Sequence, residues 1–281
     1  HNRVKGFRDC LSTLEDGEAI NQTSIDIYGN DLDVCADDAI EADFSMGNTR
    51  VYENRVVNSF VGMSSQPSLG GPAYFIRNVM FNVIYSPFKL HRGSIGDVAF
   101  HNTVVKCGDA FAVYASDSWS RAWFRNNLFI GGAGGGTYGG YGNGDGDVLS
   151  LAAAVASCSF DYDGLGSIGT NKFTGSVGGQ SFSSLTELKS KTTEKNAVQV
   201  DLSVFATSVT FPQNPFPGVA SPDLSLKSAS AAVDKGQKLA NVNDGFAGTA
   251  PDLGAYELGA QAPSYGPRTG GSGGAGGSGG A

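Results

Sequence analysis

Five asparagines recur at one interval: Asn30, Asn54, Asn78, Asn102 and Asn126 each stand 24 residues after the last. A fixed period in this range belongs to stacked repeats, whose units bury their apolar faces only against their neighbours. Two positions after each asparagine comes an apolar residue, in the stretches NDL, NRV, NVM, NTV and NNL. The register is therefore more than one letter deep. An earlier coil beginning at Asn2 fits the series with four extra residues before Asn30.

Aligned on these asparagines, the rows put Leu32, Val56, Met80, Val104 and Leu128 in one column and Tyr52, Ile76, Phe100 and Phe124 in another. Each row holds three short apolar runs separated by Gly, Ser, Asn and Asp, too short for helices and spaced as strands between turns. Three strands and three turns in about 24 residues make one coil of an all-β parallel β-helix, with equivalent residues about 4.8 Å apart along the axis. The asparagine column then falls at a turn. There Asn tolerates the left-handed backbone conformation, and its amide hydrogen-bonds to the asparagines above and below. The residues just before it, Glu53, Arg77, His101 and Arg125, form a solvated edge.

A formal charge of −8 argues against nucleic acid or an anionic membrane surface as the main partner. No run of 18 apolar residues is present to span a membrane. Abundant glycine with a low content of charge suits a secreted or cell-surface protein. The four cysteines lack zinc-like spacing. Cys35 and Cys107 share a column but lie three coils apart, about 14 Å, beyond the reach of a disulfide. Cys10 with Cys35, or Cys107 with Cys158, pair if neighbouring turns bring them together; small buried thiols are the alternative.

Residues 1–180 read as the β-helix, begun inside a coil with no initiating Met and no cap, as in a fragment whose upstream coils and targeting segment have been removed. Within it, residues 131–147 form a glycine-rich insertion. Its GNGDGDVL stretch approaches a calcium-binding nonapeptide repeat without matching the order around Asp145 or Asp147. Residues 181–258 read as a closing segment with a short helix near SFSSLTELKS. Residues 259–281 read as a flexible Gly/Ser-rich linker leading to a further domain or a cell-surface anchor, an engineered tail being the alternative.

The closing segment contains DLSLKSASAAVDKG, with Asp223, Leu224, Leu226, Ala232, Asp234 and Gly236, followed by PDLGAYE at Pro251 to Glu257. This order resembles the tail of many secreted bacterial right-handed parallel β-helix proteins of the pectate-lyase-like kind, although their usual proline before the alanine is missing. With the 24-residue rows, the resemblance covers most of residues 1–258. It implies a fold and an extracellular setting rather than an activity, since such proteins include polysaccharide lyases, glycoside hydrolases, epimerases and tailspikes.

Function must then come from outward-facing positions. Side chains alternate along a strand, so in DDAIEAD Ile40 and Ala42 point inward while Glu41 and Asp43 point out. In PFKLHR, Phe88 and Leu90 point inward with Lys89 and His91 outward. Glu41 shares a column with Lys89, and Asp43 with His91, about 10 Å apart across two coils. Ser65 and Gln66 lie between them, and Asp37, Asp38 and Arg92 flank the group at the turns.

Such a cluster of acid, amide and base suits a subsite for an acidic polysaccharide. In an elimination, Lys89 or His91 would be the base and Arg92 a charge stabiliser. Asp37, Asp38, Glu41 and Asp43 would be ligands of Ca2+, which favours several carboxylate oxygens. In a hydrolysis, Glu41 and Asp43 would act as acid and base, their Cα atoms about 6.6 Å apart by strand rise. A non-catalytic surface or adhesion module, in which these charges only keep the solenoid soluble, is the third alternative. Tyr114 and Trp119 are expected to offer aromatic faces to a sugar, with Trp123 buried.

Overall fold

The computed structural model describes residues 1–13, 21–134, 136–212 and 218–268. The chain forms a parallel β-solenoid of about 7 turns with roughly 25 residues per turn. Three faces surround its interior. The first carries Arg3–Phe7, the leading halves of Asp31–Glu41, Arg55–Ser65 and Val79–Leu90, then Thr103–Val105, Leu128–Gly132, Gly164–Ile168 and Val198–Gln199. The second carries the trailing halves of those three long strands, then Phe111–Ala112, Leu149–Leu151 and Gly175–Val177. The third runs from Asp26–Tyr28 through Thr49–Tyr52, Leu69–Ile76, Ile95–Phe100 and Trp123–Arg125 to Ser159–Asp161.

One left-handed residue bends each long strand from the first face to the second: Val34, Asn58 and Asn82, with φ of 58°, 57° and 58°. Asn tolerates this conformation. A β-branched valine adopts it at a cost.

The asparagines form a hydrogen-bonded ladder along the opposite corner. Asn54 Oδ1 accepts from the backbone N–H and the Nδ2 of Asn30 at 3.1 and 2.8 Å, and Asn78 and Asn102 do the same for the coil before each. The next rung is Asn127 rather than Asn126. The ladder ends on Asp163 Oδ1, which accepts from Asn127 N–H and Nδ2 at 2.7 and 2.9 Å.

The left-handed seat lies one residue before the ladder. Gly29, Glu53, Arg77, His101, Asn126 and Tyr162 all have φ between 51° and 66°. The coil after Asn102 is thus one residue longer, Asn126 takes the left-handed seat, and the strand columns slip with it. Val104 faces Phe129 instead of Leu128, and Phe100 faces Arg125 instead of Phe124. His101 is not at a solvated edge either. It is fully buried, its Nε2 accepting from the amides of Asn126 and Asn243 at 3.0 and 2.8 Å. Burial lowers its pKa to about 3, so the ring is neutral.

Inside the coils a row of aromatic rings, among them Phe88, Phe111, Phe124 and Phe160, fills the interior. Trp119 belongs to it, 0 % exposed and packed on Phe124 and Phe160, whereas Trp123 is 42 % exposed. The expected roles of the two tryptophans are therefore exchanged. Trp123 shares an outward column with Ser159 while its neighbour Phe124 takes the inward position, a direct result of strand alternation. The helix Leu185–Lys191 places Leu188 in the same core, and Ser184 Oγ caps it by accepting from Glu187 N–H.

The C-terminal segment runs along the side of the stack. Val200, Val204, Phe205, Leu224, Leu226 and Leu253 cover the outer side of the first face, over Val57, Phe81, Val105 and Ile130. The acidic residues of the tail pattern fold this segment on itself. Asp234 accepts from the N–H groups of Thr249 and Ala250, Asp252 from Asp234 and Leu258, and Glu257 from Ala247 and Asp252. The chain then continues back toward the first coils, where Arg55 lies over the Tyr265 ring and Gly266 N–H donates to Gly29 O. Of the expected linker, residues 269–281 lie outside the described residues. Cys10 and Cys35 form a disulfide, and Cys107 and Cys158 are free and buried. No helix among the described residues is long and apolar enough to cross a membrane.

Candidate functional site

The charged residues singled out in the sequence meet on the second face, largely as a buried network. Their shared column is Ser12, Glu41, Ser64 and Lys89. Ser64 takes the seat expected for Ser65 because Arg55–Ser65 is one residue shorter than its neighbours beyond the bend. Ala36 and Asp37 together face Phe60, which in turn faces Ile84 and Tyr85. Two opposed bulges cancel, so Glu41 and Lys89 still align. Ser65 consequently turns inward, where it is buried against Ser94 and Asp97.

At the centre Lys89 Nζ pairs with Asp38 Oδ2, their side chains 13 % and 1 % exposed. Burial pulls the Lys89 ammonium down, but Asp38, Asp43 and Asp37 more than offset it and its pKa is raised. The ammonium stays charged. Burial lifts Asp38 to about 7 against the pull of Lys89. Asp43, expected to face outward, is buried instead, because its Oδ1 holds the turn after the strand by accepting from Ser64 Oγ and Gln66 N–H. Glu41 is half-buried and accepts from Ser12 Oγ at 2.7 Å.

His91 is half-buried beside Lys89, Asp117 and Arg92. Burial, reinforced by Lys89, lowers its pKa to about 4, and Nε2 is enclosed without a hydrogen-bond partner. Arg92 is exposed, its guanidinium 5.9 Å from the centre of the Phe44 ring. Tyr114 is half-buried with its hydroxyl on Asp109 at 3.0 Å. Trp119, locked in the core, cannot meet a sugar.

Of the four expected cation ligands, Asp37 and Asp38 gather with Asp9 rather than with Glu41 and Asp43. Carboxylate oxygens of Asp9, Asp37 and Asp38 lie within 4.8 Å of one another. Asp38 Oδ1 is buried without a hydrogen-bond partner, while Asp37 is paired with Arg8 at 2.9 Å. Asp9 was detectable in the sequence, since it precedes Asp37 by the same 28 residues that separate Asn2 from Asn30. Tyr114, expected at the site, continues an aromatic row through Tyr85 to Phe60, two rings the sequence does not reveal because the bulges move them off the 24-residue columns. No family model, curated protein or solved structure matches the chain.

Proposed function

We propose that the second face binds an acidic polysaccharide and acts on it by elimination. What supports this is the meeting, around one paired ammonium, of a neutral imidazole and several carboxylates drawn from successive coils. His91 is the group suited to take the proton beside a sugar carboxylate, its ring only half-buried on this face and neutral above about pH 4. Lys89 is not, because Asp38 keeps it protonated; with Arg92 it stabilises negative charge. In the step, the C–H proton passes to His91, the C–H electron pair forms a carbon–carbon double bond, and the bond to the leaving sugar oxygen breaks as that oxygen takes a proton from water.

A divalent cation at Asp9, Asp37 and Asp38 would neutralise the sugar carboxylate, and hard carboxylate ligands suit Ca2+. Hydrolysis by Glu41 and Asp43 is disfavoured, since Asp43 is buried and engaged. The disulfide favours a secreted or cell-surface setting.

The test is to incubate the protein with pectic, alginate and glycosaminoglycan polymers, with and without calcium, following unsaturated products, reducing ends and binding. Unsaturated products should form, should vanish in His91→Ala, and should decline as pH falls through about 4. Binding without products would make the protein a non-catalytic module. Neither binding nor products on any polymer would overturn the proposal.

A further inference from the structure

Phe60 and Tyr85 stack from coil to coil, ring centroids 5.2 Å apart and planes 3° from parallel. Tyr141, 55 % exposed, stands edge-on to both at 5.5 and 5.4 Å. It sits on a short antiparallel hairpin, Thr137–Tyr138 against Tyr141–Gly142, thrown out by the glycine-rich insertion. In the coil before Phe60 no ring continues the stack. There the bulge sets Ala36 and Asp37 opposite Phe60, leaving a cavity of about 600 Å³ between Val34–Asp37, Phe60 and the hairpin.

The cavity is chemically one-sided. Ring faces and methyl groups dominate its wall, and Asp37 supplies a carboxylate at the edge. A pyranose has the matching character, with C–H groups on its face and hydroxyls around its rim; aromatic faces attract the first and carboxylates accept from the second. Backbone geometry adds a second sign. Val34 holds a left-handed conformation in the cavity wall although Asn58 and Asn82 fill the equivalent seats of the next two coils. Unfavourable backbone retained where a tolerant residue was available is a mark of binding sites.

We infer that this cavity is a sugar-ring subsite, in which a pyranose replaces the missing ring of the stack. Its C–H face lies on Phe60, its edge meets Tyr141, and a hydroxyl donates to Asp37. The inference rests on the saccharide reading above and gives it a second contact, joined to the charged cluster through Asp37, which belongs to both.

Saturation-transfer NMR with methyl hexosides, neutral and uronic, together with phenol as a flat aromatic control, tests the subsite directly. Transfer to the hexosides should be seen, and Tyr141→Ala should weaken their binding about fivefold, with Tyr141→Phe restoring it. Phe60→Ala should do the same, and because Tyr141 is exposed its variant reports on the site without disturbing the fold. Absence of transfer to every hexoside, a preference for phenol, or binding indifferent to Tyr141→Ala would each overturn the subsite, whatever the polymers do at the charged cluster. Hexoside binding lost in Tyr141→Ala, in a protein that binds no acidic polymer, would keep the subsite and discard the polysaccharide reading.

Discussion

Lys89 and Asp38 illustrate how one buried charge depends on another. Removing the ammonium strands a carboxylate that is almost wholly enclosed, and breaking such a pair costs about 3–5 kcal/mol. Lys89→Met should lose up to about that much in urea unfolding at pH well above 7, where Asp38 is ionised beside its ammonium and, once that is gone, must stand unpaired or take up a proton. Well below 7 the loss should shrink, because Asp38 folds protonated and needs no partner. The double change Lys89→Met with Asp38→Asn should recover most of the loss; equal destabilisation at both pH values would show that the pair is not what holds this region. Alternation along single strands made Glu41, Lys89 and the inward Phe88 legible from sequence. It could not reveal that Asp43 and Ser65 turn inward, since a side chain's burial at a strand end depends on its partners in other coils, here Ser64 and Gln66, which donate to Asp43, and Asp97, which accepts from Ser65.

At the level of elements, the asparagine ladder and the left-handed seat beside it set the corner of every coil. Asn78 Oδ1 is the acceptor for both the backbone N–H and the amide of Asn54, all of them buried. Asn78→Ala leaves these donors unsatisfied and should lower the unfolding free energy by about 2 kcal/mol or more; a loss within experimental error would deny the ladder its structural role. The terminal rung carries its own pH signature. Asp163 meets buried Glu194, whose burial and negative neighbour raise its pKa well above the ordinary 4.5. The folded state then holds a proton that the unfolded chain releases above about pH 4.5, so stability falls as pH rises past that value, by up to about 1.4 kcal/mol per pH unit. Glu194→Gln should flatten this slope in melts taken across the range, and an unchanged slope would assign it elsewhere. The 24-residue period exposed the ladder at once, but not the slip to Asn127. Asn126 is also an asparagine, and adjacent positions with the same residue hide a one-residue insertion. The exchange of Trp119 and Trp123 belongs to the same coil, where the columns no longer guide the eye.

Across the whole molecule, cohesion is uneven. A solenoid coil touches only its neighbours, and two further ties hold the coils nearest Asn2: the Cys10–Cys35 disulfide between adjacent coils and the C-terminal segment returning to Gly29 and Arg55. Replacing both cysteines by serine should cost about 3 kcal/mol. Hydrogen exchange should show that loss concentrated in residues 3–12, with the coils around Val79–Leu90 still protected; uniform loss would mean the stack opens as one body. The ladder also gives the stack a sense. Each rung donates toward the following coil, so the row of amides is a one-way sequence that begins at Asn2 and terminates where Asp163 has only oxygen to offer. At Asp163 the row of side-chain donors stops, and Val198–Gln199, the next strand on that face, is held through the backbone instead, Val198 N–H donating to Asp163 O.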